Sequence, residues 1–226
     1  MFTAETFAFL RELRAHNERP WFEANRARYE QHGKAAMAEF VRAFRPHLAE
    51  ISTQYLADEK TSAFRIFRDT RFSKDKSPYK TYLGVQFRHQ LVRGSASEAV
   101  HAPGFYCHVG PAGDGEMDGC FGGFGTWHPE GDALAAIRRR IAERPDEWAA
   151  AKAGLTLGGE SLKKVPLGYD PAHPHVEDLK RKDFIVMRDF TEADVTGADF
   201  VERYAEASRA GAPLMRFLCA AIGLPW

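Results

Sequence analysis

Residues 64–89 have the sequence FRIFRDTRFSKDKSPYKTYLGVQFRH. In residues 64–72 apolar and charged side chains alternate with the two-residue period of a strand, and the aromatic and β-branched content favours the same structure. A second alternating strand is predicted from residue 83 to residue 87. Serines, an aspartate and a proline at residues 73–78 are typical of a turn. The stretch therefore predicts two paired antiparallel strands joined by a polar loop.

This predicted hairpin carries a local surplus of positive charge. Between residues 65 and 80 lie six cations and two carboxylates, although the whole chain balances 31 basic against 31 acidic residues. Like charges at this density repel one another unless counter-charges or a bound anion lie among them, and the planar guanidinium group binds carboxylate or phosphate in bidentate geometry. We therefore predict an anion-binding site on the hairpin. The alternative is a solvated basic hairpin in which Asp69 and Asp75 pair with neighbouring cations.

The leading functional hypothesis is a pocket for a small phosphate-bearing or carboxylate ligand. The predicted ligand-binding residues share a positive charge or an aromatic ring, and they are Arg65, Arg68, Arg71, Lys74, Lys76, Tyr79, Lys80 and Trp127. If the protein is an enzyme, group transfer or hydrolysis fits best, because the cations would stabilise developing negative charge. The acid-base candidates are then Asp69, Asp75 and His128. Enzyme status, cofactor and protein partners stay open at this point.

Trp127 and His128 belong to a glycine-rich run, GGFGTWHP at residues 122–129, that precedes a predicted helix. A glycine-rich turn before a helix can present backbone N–H groups to a phosphate. Glycines can equally let the backbone pass close to a neighbouring segment, and we favour that interpretation. The two aromatic residues remain pocket candidates because the loop lies beside a helix N-terminus.

Two hypotheses of other classes compete with the small-ligand pocket. In the first, the basic hairpin binds nucleic acid and stacks bases on Phe67, Phe72, Tyr79 and Tyr82. The sequence pI near 7.1 disfavours it, as does the following segment 94–137, which has six carboxylates and no lysine or arginine. In the second, the charges form a buried salt-bridge network that fixes the hairpin for a protein partner. An Arg68→Ala change would then collapse stability.

The run RIFRDTRFSKDKSPYKT at residues 65–81 resembles the signature of a microbial family of conserved proteins that is classed as a domain of unknown function. Further matching features are the segments NERPWF, GFY, GGFGTWHP and LGYD at residues 17–22, 104–106, 122–129 and 167–170. The resemblance covers nearly the whole chain. It implies no established activity, substrate or catalytic residue.

Length and composition indicate a single globular domain. The chain has 226 residues and a mass of 25.4 kDa, of which 44% are hydrophobic residues, enough for one substantial core. No apolar run approaches the ~20 residues that span a membrane, and the N-terminus lacks the features of a signal peptide. Three cysteines are an odd number at spacings that do not suggest a metal site. We therefore expect a cytoplasmic protein with reduced thiols and no membrane association.

Metal-binding and nucleotide-binding motifs are weak or absent. The pattern DGEMDG at residues 114–119 imitates the first half of a calcium loop, but Gly125 stands where the final glutamate is required. His173 and His175, with Asp170 nearby, lack a third ligand of suitable spacing. The glycine fingerprint of dinucleotide-binding folds and the phosphate-binding P-loop do not occur. We predict no metal site.

The order of predicted elements favours an α+β fold. Helices are predicted from Thr3 to Ala15, over residues 20–32, and after Gly33 in a longer helix that Pro46 kinks or breaks. A mainly antiparallel sheet follows over residues 64–124. Further helices are expected at residues 129–142 and at 198–222, the latter broken near Pro213, with one returning strand at residues 184–187. Strands grouped between helices favour this arrangement over an alternating parallel sheet.

Overall fold

The computed structural model describes residues 1–71, 74–92, 101–113, 115 and 118–226. Its fold is α+β as predicted, with helices first, an antiparallel sheet next and helices at the C-terminal end. The helices are α1 (Ala4–Ala15), α2 (Arg19–Ala24), α3 (Arg26–Tyr29), α4 (Ala35–Ile51), α5 (Gly131–Glu143), α6 (Pro145–Ala151), α7 (Val176–Leu179), α8 (Glu192–Thr196) and α9 (Phe200–Ala221). The strands are β1 (Tyr55–Leu56), β2 (Leu83–His89), β3 (Gly104–Val109), β4 (Cys120–Thr126), β5 (Leu157–Gly158) and β6 (Phe184–Phe190).

The N-terminal helices follow the prediction in α1 and depart from it after that. The apolar face of α1 is buried at Phe7, Leu10 and Leu13, as its spacing indicates. The helix predicted over residues 20–32 is divided into α2, α3 and a π-helical turn at Glu30–Lys34, which continues directly into α4. The division begins at Asn25, whose backbone N–H donates to two carbonyl oxygens of the preceding turn.

Two prolines predicted to interrupt helices do not do so. Pro46 lies inside α4, and Pro213 lies inside α9. Both prolines are on the exposed side of their helix. Water can therefore hydrogen-bond to the carbonyl that each proline leaves without a partner, and the buried face of the helix keeps its packing. The break predicted near Pro213 does not occur, and α4 continues through Pro46 without a break.

Within the described residues, six strands form one antiparallel sheet in the order β1-β2-β3-β4-β6-β5. The register places Leu83 beside Val109, Val109 beside Cys120, and Cys120 beside Phe190 at one end of the sheet. The other end is marked by the pairing of Thr126 with Phe184. The returning strand predicted at 184–187 is thus confirmed as β6, which is three residues longer.

The segment predicted as a strand over residues 64–72 is not a regular strand in its described part, residues 64–71. It has only an isolated bridge between Phe67 and Tyr79, together with single hydrogen bonds to the chain that leads into β2. The pairing is still antiparallel, because Phe64 N donates to Gly84 O and Arg68 N to Pro78 O. Pro78 has no N–H to return a bond, so a continuous ladder cannot form there. The predicted antiparallel pairing exists, but only its second strand, β2, is regular.

The principal core lies between the sheet and the two longest helices, α4 and α9. Phe44 of α4 packs against Phe87 of β2 and Tyr204 of α9, with ring centroids 4.8 and 4.9 Å apart. Gly211 lets α9 approach β4 closely, since a Cβ atom there would lie 2.9 Å from the Cβ of Phe124. These contacts fix the position of the sheet on which the candidate sites are built.

A second cluster of buried side chains lies under α5, α6 and the C-terminal half of α9. It is centred on Trp148, whose ring lies 5.0 Å from that of Phe217. All three cysteines are buried free thiols, namely Cys107, Cys120 and Cys219. No helix in the described part of the chain has the length and apolar character needed to cross a membrane.

Candidate functional site

The basic hairpin is held to the N-terminal helices through Tyr79. Asn17 donates from Nδ2 to Tyr79 O at 2.9 Å and accepts from Tyr79 N at Oδ1 at 3.0 Å, so its side-chain amide imitates a strand partner. The Tyr79 ring stacks on Phe22 with a centroid distance of 4.1 Å and an interplanar angle of 16°. Only 1% of Tyr79 is exposed. This residue therefore positions the hairpin, and its ring does not face a ligand.

Several predicted ligand-binding cations are paired within the hairpin itself. Arg68 forms an ion pair with Asp75, and Arg71 donates to Asp69 from Nε at 3.0 Å and from a terminal nitrogen at 2.7 Å. Lys76 donates to a backbone carbonyl, that of Thr70, at 2.8 Å. These contacts match the alternative interpretation, in which Asp69 and Asp75 pair with neighbouring cations.

Both aspartates are ionised over the physiological pH range. Hydrogen bonds from the guanidinium and backbone N–H of Arg71 lower the pKa of Asp69 below its usual range. Hydrogen bonds from the hydroxyl and backbone N–H of Ser77, together with Arg68, lower the pKa of Asp75 to about 2. An acid-base catalyst works best when its pKa lies near the working pH. The geometry thus disfavours acid-base catalysis by these two carboxylates.

The ion pairs of the hairpin are exposed rather than buried. The side chains of Asp69 and Asp75 are 44% and 53% exposed, and that of Arg71 is 76% exposed. Water screens such pairs, so they contribute little to stability. The hypothesis of a buried salt-bridge network is therefore wrong for these contacts, and a collapse of stability on Arg68→Ala is no longer expected.

Lys80 is held deeper in the hairpin than the other cations. Its ammonium donates to Arg65 O at 3.1 Å and lies 5.1 Å from the centroid of the Phe64 ring. Burial lowers the pKa of Lys80, and the nearby charge of Arg65 lowers it further. Lys74 is exposed and has no ion pair with a described residue.

Arg65 lies on the rim of a groove of about 650 Å³ between the hairpin and helices α2 to α4. Aromatic and apolar side chains form much of its lining, including Phe22, Tyr29, Met37, Phe64, Ile66 and Phe67. Phe67 is 46% exposed, so the groove offers accessible aromatic surface. This groove, called the hairpin groove below, combines an apolar floor with a charged rim.

The rim of the hairpin groove carries two cations, Arg65 and Lys60, that form no ion pair with a described residue, although the charge of Arg65 helps to lower the pKa of Asp69 and that of Lys60 helps to lower the pKa of Asp58. Arg26 is paired with Glu23, and Lys34 with Glu30. Glu59, the other carboxylate of the lining, accepts hydrogen bonds from arginines of α4. Among the basic residues that line the groove, Arg65 and Lys60 are the two whose side-chain nitrogens form no hydrogen bond or ion pair with a described residue.

Trp127 and His128 lie at the opposite end of the sheet from the hairpin. They follow Thr126 at the last pairing of β4, whereas the hairpin precedes Leu83 at the first pairing of β2. A seven-residue strand such as β2 spans ~20 Å. The sequence suggested one pocket containing Arg65 and Trp127, and the structure separates these residues into two regions.

His128 is fixed by a buried aspartate that the sequence analysis missed. Asp183 is fully buried, and its Oδ1 accepts from His128 N at 2.7 Å and lies 2.8 Å from His128 Nδ1. Its Oδ2 accepts from Glu160 N at 2.8 Å. His128 has a φ of 46°, an uncommon conformation for a residue other than glycine. No spacing rule links residues 128 and 183, since β6 brings them together only in the folded chain.

The histidine pattern does not assemble into a metal site in the described part of the chain. No group of three or more histidine, cysteine, aspartate or glutamate side chains in the described residues could hold a metal ion. His173 Nδ1 accepts from the backbone N of His175, and His175 Nε2 lies 3.0 Å from a backbone carbonyl. Asp114 and Glu116 of the calcium-like pattern lie outside the described residues, as does Phe72 of the nucleic-acid hypothesis.

Comparison with known proteins agrees with the resemblance carried by residues 65–81. The model of a family described as conserved hypothetical protein, DUF2461, matches residues 5–217. The chain therefore belongs to this family. No curated protein and no solved structure matches it.

Proposed function

We propose that this member of the DUF2461 family binds a small anionic ligand in the hairpin groove. The observation that carries the proposal is a pair of exposed cations, Arg65 and Lys60, whose side-chain nitrogens form no hydrogen bond or ion pair with a described residue, above an aromatic floor. An exposed cation that forms no ion pair is hydrated, and an anion that also gains apolar contacts can replace that water. The volume of about 650 Å³ suits a small organic molecule.

The charge balance of the lining supports an anion rather than a neutral ligand. Four basic residues line the groove, Arg26, Lys34, Lys60 and Arg65, against the two acidic residues Glu30 and Glu59. Both carboxylates are already paired with other cations, so neither forms an ion pair with Lys60 or Arg65. Arg65 can bind phosphate or carboxylate through two parallel hydrogen bonds, and Lys60 supplies a second point charge.

The floor of the hairpin groove restricts the rest of the ligand. Phe67 is exposed at the surface, and its ring lies 5.4 Å from Tyr79, which in turn stacks on Phe22. A flat apolar or aromatic body can lie against Phe67 while its anionic group reaches the rim. The ligand class that we propose is therefore an aromatic or heteroaromatic phosphate or carboxylate. Group transfer or hydrolysis is not part of the proposal, because the hairpin aspartates are poor acid-base groups near neutral pH.

Thermal unfolding with added ligands tests this proposal. Binding to the folded state raises the melting temperature, so a screen of adenosine monophosphate, phenyl phosphate, benzoate and glucose phosphate should give shifts for the aromatic anions. Adenosine and phenol, which lack the anion, should give none. The double variant Arg65→Gln, Lys60→Gln should lose the response while it keeps the melting temperature of the unliganded protein.

The matched control is Lys74→Gln, Lys76→Gln, which removes two charges from the same hairpin but none from the lining of the groove. It should respond to the ligands as the wild type does. If both double variants lose the ligand-induced rise in melting temperature equally, then ligand binding depends only on the general positive charge of the hairpin, and the proposed site is wrong. Absence of any response in the wild type would reject the ligand class.

The nucleic-acid hypothesis makes a different prediction in the same assay. Tyr79 is buried and unable to stack on a base, so one of the four proposed stacking residues is excluded. A short oligonucleotide should consequently give no larger shift than adenosine monophosphate. A larger shift that falls steeply with salt would favour nucleic acid instead.

A further inference from the structure

β6 has an open edge over part of its length. On one side it pairs with β4 along all seven of its residues. On the other side it pairs only with β5, at Ile185 and Val186. The backbone of the remaining residues, 187–190, has no hydrogen bond to any described segment outside the β4 ladder. Alternate residues of a strand direct their N–H and C=O groups to each side, so this edge presents unpaired donors and acceptors.

A groove of about 890 Å³ lies beside this edge. Its walls are β6, the chain at residues 154–156 that leads into β5, and the exposed side of α9. Small residues of α9, Ala207, Ala210 and Gly211, also line it. The space, called the β6 groove below, therefore runs along a strand edge that is ready for pairing.

The β6 groove is acidic on a protein whose total charge is zero. Its lining includes five carboxylates and two arginines, a surplus of three negative charges. Arg203 is shared between two of the carboxylates, those of Asp194 and Asp199. Asp189, Glu202 and Glu206 have no ion pair in the described structure. A cationic occupant would compensate them.

We propose that the β6 groove binds an extended basic peptide segment of a partner protein, which adds to the sheet as a strand at residues 187–190. An extended peptide fits because the edge of β6 is open, so that each peptide residue that faces β6 can exchange main-chain hydrogen bonds with it. The unpaired carboxylates account for basic side chains. This proposal is independent of the hairpin groove, which is lined by different residues.

Strand geometry adds a requirement on the peptide sequence. Val186, Arg188 and Phe190 lie on the face of β6 that packs toward α9, since they pair with Phe124, Gly122 and Cys120 of the core face. In an added strand, every second side chain would point to this same face, where Glu202 and Glu206 lie. The preferred peptide thus has lysine or arginine at alternate positions.

Fluorescence anisotropy with a labelled heptapeptide of alternating lysine and valine, Lys-Val-Lys-Val-Lys-Val-Lys, tests the proposal. The wild type should bind it at low ionic strength and more weakly as salt is added. The double variant Glu202→Gln, Glu206→Gln should bind about tenfold more weakly, the effect of two exposed ion pairs of ordinary strength. A control, Glu5→Gln, Glu143→Gln, removes two exposed carboxylates outside the groove and should match the wild type.

Peptides with N-methylated backbones separate strand pairing from simple charge attraction. If all lysine side chains face α9, then the N–H groups that face β6 belong to one residue type only, either the lysines or the valines. Methylation of one set should abolish binding, and methylation of the other should leave it unchanged, at identical peptide charge. The inference is overturned if both methylated peptides bind like the parent peptide. It is also overturned if the wild type does not bind the parent peptide, or if the glutamine variant binds it as tightly as the wild type does. Sedimentation that shows a second copy of the chain covering this edge would overturn it as well.

Discussion

Replacing Asn17 with alanine should lower the free energy of unfolding by about 2 kcal/mol. The side chain makes two hydrogen bonds, at 2.9 and 3.0 Å, to the backbone of a residue that is almost fully buried, Tyr79. A partly buried hydrogen bond contributes about 1 kcal/mol net, and the loss is larger where a backbone group is left without a partner. Asn17 itself is partly exposed, so water can enter and limit the effect.

Urea unfolding monitored by circular dichroism measures this change, and amide hydrogen exchange assigns it. Asn17→Ala should speed exchange of the Tyr79 N–H, which loses its acceptor. Asn17→Asp is the matched control, because a carboxylate can still accept from Tyr79 N but cannot donate to Tyr79 O. It should keep the protection of the Tyr79 N–H, while stability still falls because the oxygen that replaces Nδ2 faces Tyr79 O and is repelled by it. A change in stability below about 0.5 kcal/mol for Asn17→Ala, the ordinary scatter of surface substitutions, would refute the idea that this amide anchors the hairpin.

Three further predictions concern other parts of the molecule. Ser77→Ala should raise the pKa of Asp75 from about 2 toward its unfolded value, as measured by carbon NMR of the carboxyl group. Because the folded pKa is the lower one, the contribution of Asp75 to the stability of the wild type is present above pH ~4 and is lost as the pH falls to ~2. Gly211→Ala should destabilise the protein by about 1–2 kcal/mol in urea unfolding through a clash with β4, whereas Gly131→Ala, where a Cβ has open space, should be neutral or stabilising. Asp183→Ala should cost about 2–4 kcal/mol in the same assay, because two backbone N–H groups lose their acceptor; an unchanged unfolding midpoint would contradict that role.

The helical and sheet framework could be predicted because local periodicity determines it. The apolar spacing of α1 and the alternation in β2 appear directly in the sequence, and both elements form as expected. The prolines of α4 and α9 do not end their helices, because both lie on the exposed face, where water can bond to the freed carbonyl oxygen. That condition depends on which face of the helix is exposed, and tertiary packing decides it.

The candidate site was only partly predictable, because a charge pattern does not show which charges pair. Arg65, Arg68 and Arg71 are the same residue type within one short stretch, but of the three only Arg65 forms no ion pair with a described residue. The difference arises because Arg65 lies beside α2 to α4, where the nearby carboxylates are already engaged. Lys60 could not be linked to the same groove, since an irregular stretch separates it from the predicted hairpin.

The same aromatic stack serves both the stability of the hairpin and the proposed binding surface. Phe22 supports Tyr79 from one side and lines the hairpin groove on the other, while Phe67 contacts both rings and remains exposed. Removing the two hydrogen bonds between Asn17 and the backbone of Tyr79 should therefore also disturb the aromatic floor of the groove. Affinity for an aromatic anion should fall in Asn17→Ala although the substituted side chain does not line the groove, whereas Ser77→Ala, at the hairpin tip, should leave affinity unchanged. Unaltered binding in Asn17→Ala would show that the groove keeps its form without the anchor.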